Sequence, residues 1–262
     1  MKTNERANVT ERPIFIYPGR NNEYDLKAIP ADHTLITGLT GVGKTTMINQ
    51  IVIQLIQQYS PDEVRIHIIS GHGFNDIDWK VRKKGKVDSK RILPSIVYTG
   101  QTENIDREDY VPSVCDYIES IGKEHVRTVQ EGHDIIGTDI VIIDDVILDK
   151  QSREQFKSVM QWSNAVKVIF AMQPYTWLDE KFIKLFRNRI CLKSTEEVSE
   201  MMLGCNIASS RLLEDRYVAY YKRAGENNTI HKLWIPCTPI SVINKIIGAF
   251  SVRLSNKPSK EG

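Results

Sequence analysis

Two short stretches of the chain carry the residue types that phosphate chemistry needs, at the spacing it needs them. In "GLTGVGKTT" (38–46), Gly38, Gly43, Lys44 and Thr45 satisfy G-x-x-x-x-G-K-[ST]. Glycines let backbone N–H groups turn inward around phosphate oxygens, and a following helix adds the partial positive charge of its N-terminus. The expected nucleotide contacts are Gly38, Thr40, Gly41, Val42, Gly43, Lys44, Thr45 and Thr46. Lys44 would reach the β- and γ-phosphates, and the Thr45 hydroxyl would hold Mg²⁺. The second stretch is "DIVIIDDV", in which the apolar run Ile140–Ile143 ends in Asp144 and Asp145. Asp144 is the expected carboxylate on the Mg²⁺ side, with Asp145 beside it to orient a water; the plain alternative is that the pair caps the next helix.

These residues act together only if strands and helices bring them there. Apolar, β-branched runs predict strands over 14–17, 33–38, 65–70, 95–100, 139–144, 166–172 and 189–194. From Thr45 to Tyr59, Ile48, Ile51, Val52, Leu55, Ile56 and Tyr59 fall on one helical stripe, so a helix leaves the glycine loop directly. "YVPSVCDYIESIGKEHVRTVQ" and "SREQFKSVMQWSNA" also have helical patterning. Nearly continuous apolar strands alternating with helices imply an α/β fold with a mainly parallel sheet covered on both faces. The strand "VKVIFAM" ends in Gln173, a polar residue placed to contact a γ-phosphate, or simply to cap the strand before Pro174.

Composition narrows the setting. The 262 residues suit one large domain, expected over 13–252 between an arm (1–12) and a tail (253–262). Lys and Arg number 35 against 33 Asp and Glu, so any nucleic-acid surface must be local. Four well-separated cysteines, a polar start and no long apolar run suit a reduced, cytoplasmic protein. There is no N-K-x-D for reading guanine and no Arg-rich lid for small-molecule phosphorylation, which favours ATP hydrolysis on a RecA-like sheet. His67, His72 and His133 do not fall at metal-ligand spacing.

The order of segments resembles the motor domain of the FtsK/SpoIIIE-type DNA translocases. "DLKAIPADHTLITGLTGVGKTTMINQIVIQLI" is similar to that family's run through the phosphate loop. "YSPDEVRIHIIS", "ILPSIVYTG" and "CDYIESIGKEHVRTVQEG" are similar to the segments that follow. "IFAMQP" stands where the family has A-T-Q-R-P, "FRNRICLKSTEEVSEMMLG" resembles its R-I-x-F strand and polar helix, and "HKLWIPCTPISVINKII" its closing strand and helix. The resemblance implies a RecA-like core, a hexameric ring, and ATP hydrolysis that moves DNA through a channel. The departures are Asp145 in place of Glu, no Arg after Gln173, and "GHGFNDIDWK" where an acidic turn is usual. Two other readings stay open: a related ATPase that drives protein secretion, and a nucleotide-switched assembly module with little turnover.

Ring ATPases insert an arginine into the neighbour's site. Arg187 and Arg189 are the candidates, Arg189 matching the R-I-x-F arginine, with Arg127 third; for each a surface salt bridge is the alternative. The run "KVRKKGKVDSKR" offers Lys80, Arg82, Lys83, Lys84 and Lys86 as non-sequence-specific contacts to double-stranded DNA, the plain alternative being a solvated charge run; Phe74 and Trp79 nearby could stack on bases, although a duplex would not offer them. An acidic protein or lipid headgroups would suit the run equally, and a recruiting or membrane-bound partner protein is a further expectation.

Overall fold

The computed structural model describes residues 13–16, 28–71, 79, 82–83, 86–87, 91–93, 95–102, 113–135, 137–162, 166–174, 178–209, 217–226 and 229–253. The arm (1–12), most of the tail, His72, Phe74, Lys80 and Lys84 lie outside them.

Strands β1 (Pro13–Ile16) and β2 (Ala28–Pro30) pair antiparallel ahead of β3 (Thr34–Thr37). Helix α1 (Lys44–Gln58) then leads to β4 (Val64–Ser70). Short strands β5 (Arg82–Lys83) and β6 (Lys86–Val87) pair as an antiparallel ribbon, and β7 (Arg91–Ile92) precedes β8 (Ile96–Gln101). Helix α2 (Val114–Gln130) starts where the Ser113 hydroxyl accepts from the Asp116 N–H; positions 110–112 of the expected run lie outside the described residues. The chain continues through β9 (Thr138–Asp144), α3 (Lys150–Val159, capped by Asp149), β10 (Val166–Met172), α4 (Glu180–Ile183) and β11 (Asn188–Cys191). Helix α5 (Glu196–Leu203), β12 (Val218–Arg223), β13 (His231–Trp234), α6 (Ile240–Phe250) and β14 (Val252–Arg253) complete it.

Eight strands form one sheet in the order β13-β12-β11-β3-β10-β9-β4-β8. The six from β11 to β8 run parallel, and β12 and β13 extend one side antiparallel. The fold is α/β, as expected from the alternation of strands and helices. Alternate residues of each strand enter two cores. Ile36, Ile68, Ile142, Ala171 and Ile190 pack with the buried side of α1, while Leu35, Val141, Ile143, Phe170 and Cys191 pack with α2, α3 and α5. Both sets are apolar because both faces are covered.

Two expectations change. The run 189–194 stays in the sheet only to Cys191, because Leu192 and Lys193 turn across the glycine loop, Leu192 N–H donating to Thr37 O at 2.8 Å and Leu39 N–H to Lys193 O at 2.9 Å. Trp79 is 3% exposed and belongs to the α1-side core, so its ring is packing material and is withdrawn from base stacking.

His33, just before β3, is buried, and its Nδ1 accepts the Val168 N–H at 3.1 Å. Burial, with Lys167 adding to it, pushes its pKa down to about 4 from 6.5. The folded state holds this ring neutral, so its stabilisation is full above about pH 6.5 and is lost as pH falls from there towards 4, by about 3 kcal/mol. Chemical denaturation at pH 7 and pH 4.5 should therefore show a larger loss for the native chain than for His33→Gln; equal losses would remove His33 from the acid response.

Candidate functional site

Register builds the site. Met172 of β10 pairs with Thr37 of β3, Ala171 with Asp144 of β9, and Asp144 with Ser70 of β4. Four neighbouring parallel strands thus end together, and the residues that follow them, Gly38, Gln173, Asp145 and Gly71, stand side by side at the sheet's carboxyl edge. This is the edge at which parallel α/β sheets carry ligands.

The glycine loop turns into α1 at Gly43, whose φ of 107° lies in the left-handed region. No side chain caps α1, so its first N–H groups face the loop's hollow. Lys44 is buried, and its Nζ donates to Gly38 O at 2.9 Å and Leu39 O at 3.0 Å. Burial lowers its pKa, opposed by the charges of Asp145 and Asp144. A buried ammonium held by two carbonyls is ready to exchange one of them for a phosphate oxygen.

Across the hollow, Thr45 Oγ1 donates to Asp144 Oδ2 at 2.9 Å, joining the first turn of α1 to the end of β9. The hydroxyl and carboxylate are both hard oxygen donors, the kind that Mg²⁺ takes beside phosphates. Gln173 bridges the two halves: its Oε1 accepts from Thr40 Oγ1 at 3.0 Å, and its Nε2 donates to Asp145 Oδ2 at 3.5 Å. That these contacts span 133 and 28 residues is possible because β10 lies between β3 and β9.

Asp145 has φ 55°, in the left-handed region, where aspartate is among the few side chains tolerated. Its N–H donates to Ala171 O and the Gly71 N–H donates to Asp144 O, both at 2.9 Å. A Cβ on Gly71 would lie 2.1 Å from Asp145 O. Gly71 is thus the floor on which the Asp144–Asp145 turn rests, and motif reading missed it because its demand comes from a contact across the sheet.

The arginines sit elsewhere. Arg187 and Arg189 lie at the start of β11, towards the opposite end of the strands from the glycine loop. Arg187 is 3.5 Å from Asp32, and Arg189 Nε turns back to Phe186 O at 3.4 Å. Arg127, on the exposed face of α2, pairs with Glu124 and Glu131. The sheet therefore gathers Lys44, Thr45, Asp144, Asp145 and Gln173 and leaves all three arginines apart. Among the described residues no group of three His, Cys, Asp or Glu could hold a metal ion, and no helix is long and apolar enough to cross a membrane.

A second buried polar centre escaped sequence reading. Asp139, near the start of β9, accepts two hydrogen bonds from Arg65 (2.9 and 2.6 Å) and one each from His67 and His125. Burial alone would raise its pKa, but the hydrogen bonds from His125, His67 and Arg65 outweigh it and hold the carboxyl well below its usual range. The alternation of Arg65 and His67 in "RIHIIS" was the available signal, since residues i and i+2 share one strand face.

The model of the FtsK/SpoIIIE family matches residues 2–77. No curated protein sequence matches the chain significantly. Among solved structures, the cytoplasmic domain of the Type VII secretion ATPase EccC of Thermomonospora curvata aligns with TM-score 0.58 and 17% identity, over 84% of this chain and 28% of that one. EssC (ATPases 2 and 3) of Geobacillus thermodenitrificans aligns with TM-score 0.60 and 10% identity, over 86% and 44%. The pCW3 conjugation coupling protein TcpA, with ATPγS, gives 0.53 and 16%, over 93% and 76%. The chain thus spans less than half the length of the EccC and EssC chains it resembles. Phosphate loop, acid-ended strand and family match together make this chain a nucleotide-binding P-loop ATPase. Over residues 2–77 it resembles the FtsK/SpoIIIE family.

Replacing Gly71 with Ala should shift the Asp144–Asp145 turn by about 1 Å while leaving the loop of Lys44 in place. Hydrolysis is expected to fall about 100-fold with ATP affinity nearly unchanged. Turnover equal to that of the native chain, in a variant of native thermal stability, would show that the floor has no catalytic consequence.

Proposed function

We propose that the chain is the motor subunit of a ring, a hexamer by family resemblance, that hydrolyses ATP to move double-stranded DNA. The observation that carries this reading is the division of the machinery. Lys44, Thr45, Asp144, Asp145 and Gln173 converge on one edge, while Arg187 and Arg189 lie towards the other end of the sheet and suit a neighbouring subunit's nucleotide. Leu39, 36% exposed, and Ile147, 67% exposed, supply apolar surface beside the site for such a neighbour.

Thr45 and Asp144 would hold Mg²⁺, which supplies charge neutralisation at the β- and γ-phosphates. Lys44 leaves the carbonyls of Gly38 and Leu39 for phosphate oxygens. Asp145 accepts a hydrogen bond from the attacking water, orienting it towards the γ-phosphorus. Gln173, between Thr40 and Asp145, links the glycine loop to that acid and so reports whether the γ-phosphate is present. An arginine from the next subunit stabilises the charge that develops on the transferred group.

Duplex DNA is the proposed cargo, with the ribbon of β5 and β6, bearing Arg82, Lys83 and Lys86, as the non-specific contact. The protein would act in the cytoplasm, with a recruiting or membrane-bound partner giving it direction. Fold likeness to EccC and EssC keeps protein cargo as the second reading.

Long duplex DNA at moderate salt should stimulate ATP hydrolysis at least about 10-fold, and Lys44→Ala should abolish it. Tight ATP binding with a flat, near-background rate would replace the DNA motor with a switch-like or partner-dependent ATPase. For the arginine, mixtures of inactive Lys44→Ala and inactive Arg189→Ala chains should recover activity, because mixed rings contain intact sites between unlike subunits. Additive, unrecovered rates would place the required arginine elsewhere.

A further inference from the structure

The motif places Thr40 among the nucleotide contacts, yet its side chain is engaged elsewhere. The Thr40 hydroxyl donates to Gln173 Oε1 at 3.0 Å, across 133 residues of chain. Thr40 lies in the glycine loop that follows β3, Gln173 directly follows β10, and Asp145 directly follows β9. Because β10 runs between the other two strands, Gln173 stands between Thr40 and Asp145.

These two neighbours decide which way round the Gln173 amide sits. A carboxylate only accepts hydrogen bonds, so the amide atom that meets Asp145 Oδ2, at 3.5 Å, has to be Nε2. Oε1 then faces Thr40, and a hydroxyl beside an amide oxygen has to donate. The reverse orientation would set Oε1 against the Asp145 carboxylate, acceptor against acceptor. The contact to Thr40 is the shorter of the two, so it is the firmer restraint on the amide.

A threonine hydroxyl has a single hydrogen, and here Gln173 takes it. The side chain of Thr40 therefore serves the amide, and the backbone N–H groups of the loop are left to serve phosphate. The amide nitrogen, in contrast, carries two hydrogens. Both lie at the Asp145 end of the amide as long as Oε1 is held at the other end.

We propose that Thr40 is a positioning residue for hydrolysis, which acts by holding Gln173 Oε1 and so keeping Nε2 turned towards Asp145. One N–H then steadies the acid and the other is presented to the γ-phosphate. Thr40 acts on the chemical step and not on nucleotide affinity. The inference rests on the reading of Asp145 as the residue that orients the attacking water. Only the hydroxyl is used, so serine can take the place of threonine, whereas valine has the shape without the donor. Thr40 is exposed, so neither change disturbs the core.

Basal ATP hydrolysis by the full chain, measured without DNA, tests this independently of cargo. Thr40→Val should lower kcat about 10-fold with KM for ATP within about 2-fold of native, and Thr40→Ser should restore the native values. In a Gln173→Ala background Thr40→Val should cost nothing further, because it acts through Gln173. Should Thr40→Val fail to fold, Thr40→Ala, which also lacks the hydroxyl, takes its place. A loss carried by KM would make the hydroxyl a direct nucleotide contact and overturn the proposal. An equal loss with and without Gln173 would overturn it too. Asp145→Asn, which suits the same left-handed turn, checks the underlying reading and should lower kcat at least as far as Thr40→Val. Native turnover in Asp145→Asn would remove that reading and this inference with it; native turnover in Thr40→Val beside a slow Asp145→Asn would overturn the Thr40 inference alone.

Discussion

The position of β10 between β3 and β9 is the constraint on which the rest depends. Its backbone ladders fix both neighbours in register, Thr37 against Met172 and Asp144 against Ala171. A slip of one residue would reverse every side chain on the slipped strand and carry Asp144 to the face away from α1. The Thr45–Asp144 contact, and the reach of Gln173 to both Thr40 and Asp145, follow from that register rather than from any attraction among the site residues themselves. Fully apolar strands hold it, because residues on both faces are buried and neither face tolerates the exchange.

At the other end of the same sheet, electrostatics governs the arrangement. Asp139 stays charged in the interior because three donors surround it. Such an arrangement is weak as a source of stability, yet removing one member would leave a buried charge uncompensated, at a cost of about 3–5 kcal/mol. The two ends thus differ in kind. One is a hollow of backbone N–H groups beside the buried Lys44 ammonium; the other is a buried carboxylate surrounded by donors.

Much of this was legible in the residues. The glycine loop, the helix leaving it and the acid-ended strand are continuous in sequence, and local pattern suffices for such features. The α/β class followed from doubly apolar strands such as "DIVIID" and "VKVIFAM". What resisted reading depends on contacts between distant segments. Lys193 reaches Leu39 only after the sheet has formed, Gly71 is required by a carbonyl 74 residues away, and Asp139 draws its partners from β4 and α2. Trp79 looked available because its neighbours are charged, yet charge density along the chain says little about which way one ring packs.

The left-handed turn at Asp145 bears on which sequences this site can accept. Beyond glycine, that conformation is tolerated chiefly by short side chains that bond to their own backbone, asparagine and aspartate first among them. A longer acid there would have to abandon the turn, and the Asp145 carbonyl would then leave the space above Gly71. The short acid and the glycine opposite it are in effect one inherited unit: a descendant that lengthened the acid would be released from keeping the glycine, and neither change would be favourable by itself.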